Sequence, residues 1–411
     1  MSQPELAPQA LNPWWYRLVK LLYRLGDRAG ITGPLQADRL MQKAMRSQGR
    51  LFDDYSFVQG LESLLSSANE EARLNGFGRL MLTALVGRYL KQRLQLEQWR
   101  DEHPQVALEN IVRPLFIVGL PRTGTTFLHQ LLSQDKQFRA PRTFEIDRPV
   151  PPPAENAIDV DPRVKEIQRG IDVIHRIVPH FKAIHPLGAT FPDECQQITA
   201  YQFSSIAYQH IMQVPSFRRW VLAHDFTADL QFHRRFLQHL QSAWGRKHWL
   251  LKSPAHIQYL PALLKVYPDA MIIQTHRKPE QVMASTASLS WTMQSVFSDH
   301  IDKYECARAQ LDFFCDTLEI CLADRAALGN NAPVFDLHYQ SFIENPLAMI
   351  ESLYDAFGLT LESKTIERME IFINNNQQNK HGGHKYTAAE FGLDGMSELD
   401  VFLRYTERFN L

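Results

Sequence analysis

The sequence has few cysteines, no long hydrophobic run and no surplus of charge of either sign. Its four cysteines among 411 residues form no CxxC pair and follow no metal-ligand spacing, which excludes a disulfide scaffold and a cysteine-based zinc site. The formal net charge of −1 argues against nucleic acid as the main partner, because binding to a phosphate backbone needs a basic surplus. With 45% apolar and 22% charged residues, the composition is that of a globular protein.

The first residues do not show the pattern of a secretory signal. The first ten residues lack the basic start and the apolar stretch of a secretory signal, and cysteines without a pairing pattern are typical of a reducing compartment, so we expect a cytoplasmic protein. The apolar stretch 14–25 is interrupted by Arg17, Lys20 and Arg24 and is shorter than the ~20 residues of a membrane span. It predicts an amphipathic helix with a basic face, which either packs on its own protein or contacts a membrane peripherally.

Helical patterns and short apolar runs divide the chain into two parts. Residues 1–103 are predicted to form a helical N-terminal extension. Residues 104–411 contain four apolar runs that are typical of buried strands, namely 114–118, 248–251, 270–274 and 334–337. Their alternation with helical patterns predicts an α/β domain with a P-loop-like, three-layer α/β/α fold around a central parallel sheet. Residues 164–245 are predicted to be a helical insertion in this domain.

A glycine-rich loop lies between the first predicted strand and a helix. It spans residues 119–126 (GLPRTGTT), and this arrangement directs backbone N–H groups and a positive helix dipole at an anion. Its glycines have the spacing of the nucleoside-triphosphate loop GxxxxGK[ST], but Thr125 stands at the lysine position and the cation lies earlier, at Arg122. No predicted strand ends in an aspartate that would hold magnesium. The loop is therefore predicted to bind a phosphate, but not a metal-bridged pair of phosphates.

A second anion site is predicted after the third strand. Arg277 lies at the carboxyl end of that strand and Ser285 lies two turns into the next helix, so both can hold one phosphate from two sides. Two separate anion sites indicate a ligand with phosphates at both ends of a nucleoside.

Three segments in this order resemble the sulfotransferases that use 3′-phosphoadenosine-5′-phosphosulfate (PAPS). GLPRTGTTFL is similar to the family's 5′-phosphosulfate loop, and THRKPEQVMAS is similar to its 3′-phosphate motif. Between them, residues 251–254 (LKSP) are similar to the lysine-x-proline segment of the tyrosylprotein and bacterial members. Residues 380–386 and 391–393 resemble the ending of the bacterial branch.

The resemblance implies a role for each matching residue. Lys252 would contact the bridging oxygen on which negative charge grows, Arg277 and Ser285 would hold the 3′-phosphate, and Lys385 would help to bind the donor. The 5′-phosphosulfate would be held by Arg122, Thr123, Gly124, Thr125 and Thr126, with Arg122 also acting in catalysis. No metal is expected, because sulfuryl transfer depends mainly on positioning and charge stabilisation. The acceptor is expected to be a hydroxyl group of a small molecule or saccharide, and the oligomeric state is not predicted.

Three residues compete for the role of general base toward the acceptor hydroxyl. Glu145 follows the loop by one helix and a connector, similar to the catalytic glutamate of tyrosylprotein sulfotransferases. His256 lies four residues after Lys252, whereas the cytosolic members place a histidine two positions after the lysine. Glu194 follows a proline-broken helical region and serves equally well as a base or as an acceptor-binding group.

Two other functions remain open at the level of the sequence. An atypical P-loop kinase would depend on magnesium and ATP, and a non-catalytic nucleotide-binding protein would keep the loop but tolerate loss of Lys252 and Glu145. The helical insertion is expected to roof the acceptor pocket, although most of its aromatic residues are expected in the core. The sequence does not identify the acceptor.

Overall fold

The computed structural model describes residues 13–28, 33–155, 158, 160–178, 187–245, 247–329, 332–376 and 387–411. Within them, the central element is a parallel sheet of five strands in the order β2-β3-β1-β4-β5. The strands are β1 (Leu115–Gly119), β2 (Phe138–Arg139), β3 (His248–Lys252), β4 (Met271–His276) and β5 (Val334–His338). The predicted α/β fold with a central parallel sheet is confirmed, and β2 is an addition that is too short for its pattern to stand out.

The central strand β1 explains why the sheet is covered on both faces. All five of its residues are buried, and their side chains alternate between two hydrophobic clusters. Phe116 and Val118 belong to the larger cluster, whereas Leu115 and Ile117 belong to the smaller one. A strand buried on both faces requires a layer of helices on each side, which produces three layers.

Four helices precede the sheet in the chain. They are α1 (Trp14–Arg28), α2 (Ala37–Gln48), α3 (Val58–Glu70) and α4 (Gly76–Glu102). The side chain of Asn75 accepts a hydrogen bond of 2.9 Å from the amide of Gly78, which fixes the start of the long helix α4. Residues of α2, α3 and α4, such as Met41, Leu61 and Leu90, lie in the same cluster as the sheet. The N-terminal helices therefore share the hydrophobic core of the α/β domain.

The region between β1 and β3 is mainly helical, as the sequence predicts. It contains α5 (Thr125–Leu132), α6 (Thr143–Asp147), α7 (Pro162–Ile177), α8 (Gln196–Thr199), α9 (Ala207–Ile211), α10 (Pro215–Leu222) and α11 (Thr227–Gln241). Helix α5 packs on the smaller cluster and α11 on the larger one, so these two cover opposite faces of the sheet.

The remaining helices complete both layers. They are α12 (Leu260–Val266), α13 (Pro279–Phe297), α14 (Lys303–Leu328), α15 (Tyr339–Glu344), α16 (Pro346–Phe357), α17 (Ser363–Asn375) and α18 (Asp400–Phe409). Helices α12, α13 and α14 contribute to the larger cluster, and α16 and α17 contribute to the smaller one. Across the described ranges, no helix combines the length and the apolar character that crossing a membrane requires.

Candidate active site

The phosphate loop begins where β1 ends and closes onto the neighbouring strand. Gly119 has φ 136°, and a Cβ atom there would lie 2.4 Å from the Thr275 hydroxyl oxygen on β4. Gly124 has φ 87°, and its Cβ atom would lie 2.9 Å from the Tyr339 ring. Arg122 adopts φ 67° between them, an uncommon conformation for a residue other than glycine. The loop therefore needs both glycines, and it leads directly into the N-terminus of α5.

The threonines of this loop do not all face the same way. Thr123 is fully buried, and its hydroxyl lies 2.7 Å from the carbonyl oxygen of Leu120 and 2.6 Å from the Thr275 hydroxyl. The side chain of Thr123 therefore fastens the loop to the sheet, and only its backbone amide is left to face an anion. Thr125 and Thr126 line the adjacent cavity together with Arg122 and Gly124. They form the first turn of α5, where backbone N–H groups have no partner inside the helix.

The second predicted anion site lies beside the loop. Arg277 directly follows β4, and its Nη1 donates a hydrogen bond of 3.3 Å to the carbonyl oxygen of Arg122. Its guanidinium carbon lies 4.4 Å from the centre of the Tyr339 ring, and its Nε donates to the Gln281 side chain at 3.1 Å. Ser285 on α13 lines the same cavity. The structure thus brings the loop, Arg277 and Ser285 together, as the sequence predicts.

A single cavity of about 1340 Å³ connects these groups with a long apolar chamber. At one end it is lined by the loop, Arg277, Ser285, Tyr339 and Glu194. The rest is lined largely by apolar side chains, including Trp15 of α1, Phe77, Met81 and Leu85 of α4, Ile171, Ile174 and Ile177 of α7, and Leu289, Met293 and Phe297 of α13. The polar end suits an anionic ligand, and the apolar chamber suits a hydrophobic one.

Lys252 and Glu194 form an ion pair beside the phosphate loop. Lys252 is the last residue of β3 and is 3% exposed, and its ammonium group contacts one carboxylate oxygen of Glu194. The same ammonium donates to the Thr126 hydroxyl at 3.3 Å, and Gln196 donates to the second carboxylate oxygen of Glu194 at 2.6 Å. Burial raises the pKa of the neighbouring Asp193 to about 6, and the charge of Glu194 adds to this effect.

The structure does not bring Glu145 into the cavity. Glu145 is fully buried in the first turn of α6, where its carboxylate accepts from the Arg139 guanidinium at 3.1 Å and from the Arg142 amide at 2.8 Å. The Arg139 guanidinium also lies 4.0 Å from the Trp244 ring and 4.5 Å from the Trp249 ring. These contacts hold Glu145 in a buried ion pair, and the sequence expectation of a base at this residue gains no support from the geometry.

His256 also lies outside the cavity. It is fully buried in a 3₁₀ turn after β3, its Nδ1 lies 2.9 Å from the Tyr259 hydroxyl, and its ring packs edge-on against Phe116. Burial lowers its pKa well below the usual histidine value, so the ring is neutral in the folded protein. Of the three candidate bases, Glu194 alone lines the cavity.

Sequence reasoning missed two parts of the site. Tyr339 follows β5 directly, so the rule that ligands bind at the carboxyl ends of parallel strands would have found it. The apolar chamber is lined in part by Phe77, Met81, Leu85 and Tyr89. Their i, i+4 spacing predicts a helix but does not indicate that its apolar face borders a cavity. The predicted donor-binding residue Lys385 lies outside the described residues.

The site also bears on the kinase alternative. Strand β4 lies next to β1 and ends in Thr275 and His276, without an aspartate at its carboxyl end. Among the described residues, no group of three or more His, Cys, Asp or Glu side chains is arranged to hold a metal ion. Within the described part of the chain, β4 thus carries no aspartate of the kind that positions magnesium in nucleoside-triphosphate enzymes.

Comparison with protein families and known proteins gives consistent results. A family model described as the sulfotransferase family matches residues 114–363, which contain the phosphate loop, Lys252 and the Arg277 motif. The omega-hydroxy-beta-dihydromenaquinone-9 sulfotransferases Stf3 of Mycobacterium bovis and Mycobacterium tuberculosis are each 23% identical over 286 residues, which is 67% of this chain and 71% of theirs.

Two solved structures extend the similarity to the N-terminal helices. Sulfotransferase STF1 from Mycobacterium tuberculosis has a TM-score of 0.78 and 28% identity over 92% of this chain and 98% of its own. Sulfotransferase STF9 from Mycobacterium avium has a TM-score of 0.83 and 26% identity over 92% of this chain and 97% of its own. Because both alignments cover nearly the whole chain, they include most of the N-terminal helical region. Neither the kinase nor the non-catalytic alternative is favoured by these findings.

Proposed function

The chain belongs to the sulfotransferase family and transfers a sulfuryl group to a hydroxyl acceptor, and we propose that its donor is PAPS. The observation that carries this proposal is the convergence of two anion sites on one cavity. The phosphate loop with Arg122 lies at the end of β1, and Arg277 with Ser285 lies beyond the end of β4. Two anion sites around one end of the cavity suit a nucleotide that carries its phosphates on both sides of the ribose.

The residues present fit this donor. The two glycines leave room for the backbone to approach a phosphate, and the first turn of α5 directs N–H groups toward the same space. Tyr339 supplies an aromatic face beside Arg277 at the rim of the cavity. When bound, PAPS supplies an activated sulfuryl group whose transfer leaves 3′,5′-adenosine bisphosphate.

Glu194 and Lys252 are the residues that we assign to the reaction itself. The Glu194 carboxylate lines the cavity, contacts the Lys252 ammonium and takes the proton of the acceptor hydroxyl. As the acceptor oxygen bonds to sulfur, the bond from sulfur to the leaving phosphate oxygen breaks. Lys252 is positioned beside Thr126 to stabilise the negative charge that this oxygen gains.

The acceptor proposed here is an alcohol with a long apolar chain. Apolar residues from four helices predominate in the chamber, and its charged residues Arg88, Asp147, Arg148 and Glu166 are paired with one another. A saccharide pocket needs many polar partners for the sugar hydroxyls. Support also comes from the relatives named as sulfotransferases of a hydroxylated menaquinone, which is an apolar lipid. This assignment narrows the small-molecule or saccharide acceptor expected from the sequence to the lipid class.

The direct test is transfer of label from radiolabelled PAPS to geranylgeraniol, with a monosaccharide as the polar competitor. We expect sulfation of the isoprenoid alcohol and none of the sugar. Leu85→Gln places a polar group on the chamber wall and should raise KM for the alcohol, whereas Leu80→Gln on the exposed side of α4 should not. Sulfation of the sugar without sulfation of the alcohol contradicts the acceptor assignment but leaves the donor assignment standing.

A further inference from the structure

Helix α1 has a second apolar face that points away from the protein. Trp14, Leu18, Leu21, Leu22 and Leu25 are spaced i, i+4, i+7, i+8 and i+11, which places them on one stripe of the helix. Their exposed fractions range from 43% for Leu18 to 76% for Trp14. Single exposed leucines are ordinary, but a stripe over three turns of one helix marks a contact surface.

The opposite face of α1 fixes the helix firmly to the protein. Tyr16 is 2% exposed and donates a hydrogen bond of 2.6 Å to the carbonyl oxygen of Val296 on α13. Lys20 and Arg24 both pair with Asp299, just beyond the end of α13. The helix is therefore seated through its polar and aromatic side, and its outward apolar stripe is a stable feature of the folded chain.

This stripe continues into the rim of the acceptor chamber. Trp15, on the flank of α1 beside the stripe, lines the chamber. Met81 of α4 and Val173 and Ile174 of α7 line the same chamber and are exposed at 40%, 41% and 37%. An apolar surface thus runs from the exposed face of α1, around the chamber rim, into the proposed acceptor site.

The charges beside this surface are mainly basic. Arg17 lies on the exposed side of α1, and Arg169 and Arg176 of α7 are exposed one turn to either side of Val173. On α7, Glu166 pairs with Arg148 at 2.8 Å, and the exposed Asp172 accepts a hydrogen bond of 2.9 Å from the Gln168 side chain. Asp299, just beyond the end of α13, is engaged by Lys20 and Arg24. Exposed arginines beside an apolar stripe that begins with tryptophan match the headgroup region of an anionic bilayer.

We propose that α1 and the chamber rim dock on the surface of an anionic membrane, with the apolar stripe in the boundary between headgroups and acyl chains. At 15 residues, with Arg17, Lys20 and Arg24 within it, the helix lies in the membrane interface and does not span the bilayer. Docking in this orientation opens the chamber toward the membrane. A hydrophobic alcohol then passes from the bilayer to Glu194 without crossing water, which links the proposal to the proposed acceptor.

The test is flotation of the full chain with vesicles. The vesicles contain phosphatidylcholine and phosphatidylglycerol in equal parts, and vesicles of phosphatidylcholine alone serve as the uncharged comparison. We expect flotation with the anionic vesicles and a reduction of roughly tenfold or more in the double variant Leu21→Glu/Leu22→Glu. Leu403→Glu is the matched control, because Leu403 is a leucine of similar exposure, 55%, on helix α18. It should float like the wild type.

Three results overturn the proposal. The first is a wild-type chain that does not float, and the second is a double variant that floats as well as the wild type. The third is a wild-type dimer in light scattering that Leu21→Glu/Leu22→Glu converts to a monomer, because the apolar face is then a subunit interface. Titration of the double variant with 3′,5′-adenosine bisphosphate separates this question from the donor assignment. If the double variant binds the bisphosphate as tightly as the wild type, its fold is intact. If the wild type itself does not bind the bisphosphate, that result contradicts the donor assignment and leaves the membrane proposal to the flotation test.

Discussion

The Lys252 ammonium and the Glu194 carboxylate are in direct contact although 58 positions separate them in the chain. One ends the strand next to β1, and the other precedes the short helix α8 on the cavity wall. Both are nearly excluded from water, with exposures of 3% and 7%. In the reaction that we propose, this buried pair takes the proton of the acceptor and stabilises the leaving group.

The first prediction concerns the general base. Glu194→Gln keeps the shape of the side chain but cannot take a proton, so we expect kcat to fall by about 10²–10⁴. Affinity for 3′,5′-adenosine bisphosphate should stay close to that of the wild type, because the bisphosphate is held by the loop and Arg277. Steady-state rates and calorimetry on the same preparation check this. A variant that turns over like the wild type removes Glu194 from the mechanism.

A second variant separates nucleotide binding from chemistry. Arg277→Ala removes a cation from the second anion site and should weaken bisphosphate binding by roughly tenfold to a hundredfold, the usual range for a charge-assisted hydrogen bond. At saturating donor, kcat should change much less. Arg46→Ala, on the exposed side of α2, also removes one positive charge and serves as the control. It should bind the bisphosphate as tightly as the wild type. Equal affinities in both variants would show that Arg277 does not hold a phosphate.

Glu145 is expected to matter for stability instead of for the reaction. Glu145→Gln leaves the Arg139 guanidinium buried without its carboxylate partner, which should lower the free energy of unfolding by about 3 kcal/mol. The rate per folded molecule should stay near that of the wild type. Urea unfolding gives the stability, and rates below the unfolding transition give the activity. A stable Glu145→Gln protein with strongly reduced kcat would restore Glu145 as the catalytic base.

The pKa of Asp193 predicts a pH dependence of stability. Burial raises this pKa to about 6, from an ordinary value of 3.8, so the folded state retains a proton that the unfolded state has lost between these two pH values. The contribution of Asp193 to stability therefore falls as pH rises from about 4 to about 6. Relative to Asp193→Asn, which does not titrate, the wild type should lose about 1–2 kcal/mol over this interval. Parallel unfolding-free-energy curves for the two proteins would contradict the assignment.

The sheet and the meeting of the loop with Arg277 were predictable because local sequence determines them. Gly119 and Gly124 adopt positive φ angles, and the carboxyl ends of β1, β3, β4 and β5 lie at one edge of the sheet. Once the strands are recognised, the loop, Lys252 and Arg277 must meet at that edge. The two-residue strand β2 was not predictable, since so short a run has no periodicity.

The choice among the three candidate bases and the apolar chamber were not predictable from local sequence. Glu145 and Glu194 are the same residue type, and only the long-range packing of Arg139 against Glu145 distinguishes a structural carboxylate from one that lines the cavity. The spacing of Phe77 and Met81 predicts an apolar face on α4. It does not predict that the helices packed around α4 leave part of this face open as the wall of a cavity. The cytoplasmic location expected from the sequence stays a prediction.

The measurement that most directly tests the account is calorimetric titration of the purified chain with 3′,5′-adenosine bisphosphate and, separately, with magnesium ATP. Two anion sites on either side of one nucleoside predict tight binding of the bisphosphate and weak binding of ATP, with no requirement for a divalent metal. Tighter binding of magnesium ATP, lost when the metal is chelated, would contradict the donor assignment and the roles given to the phosphate loop and Arg277.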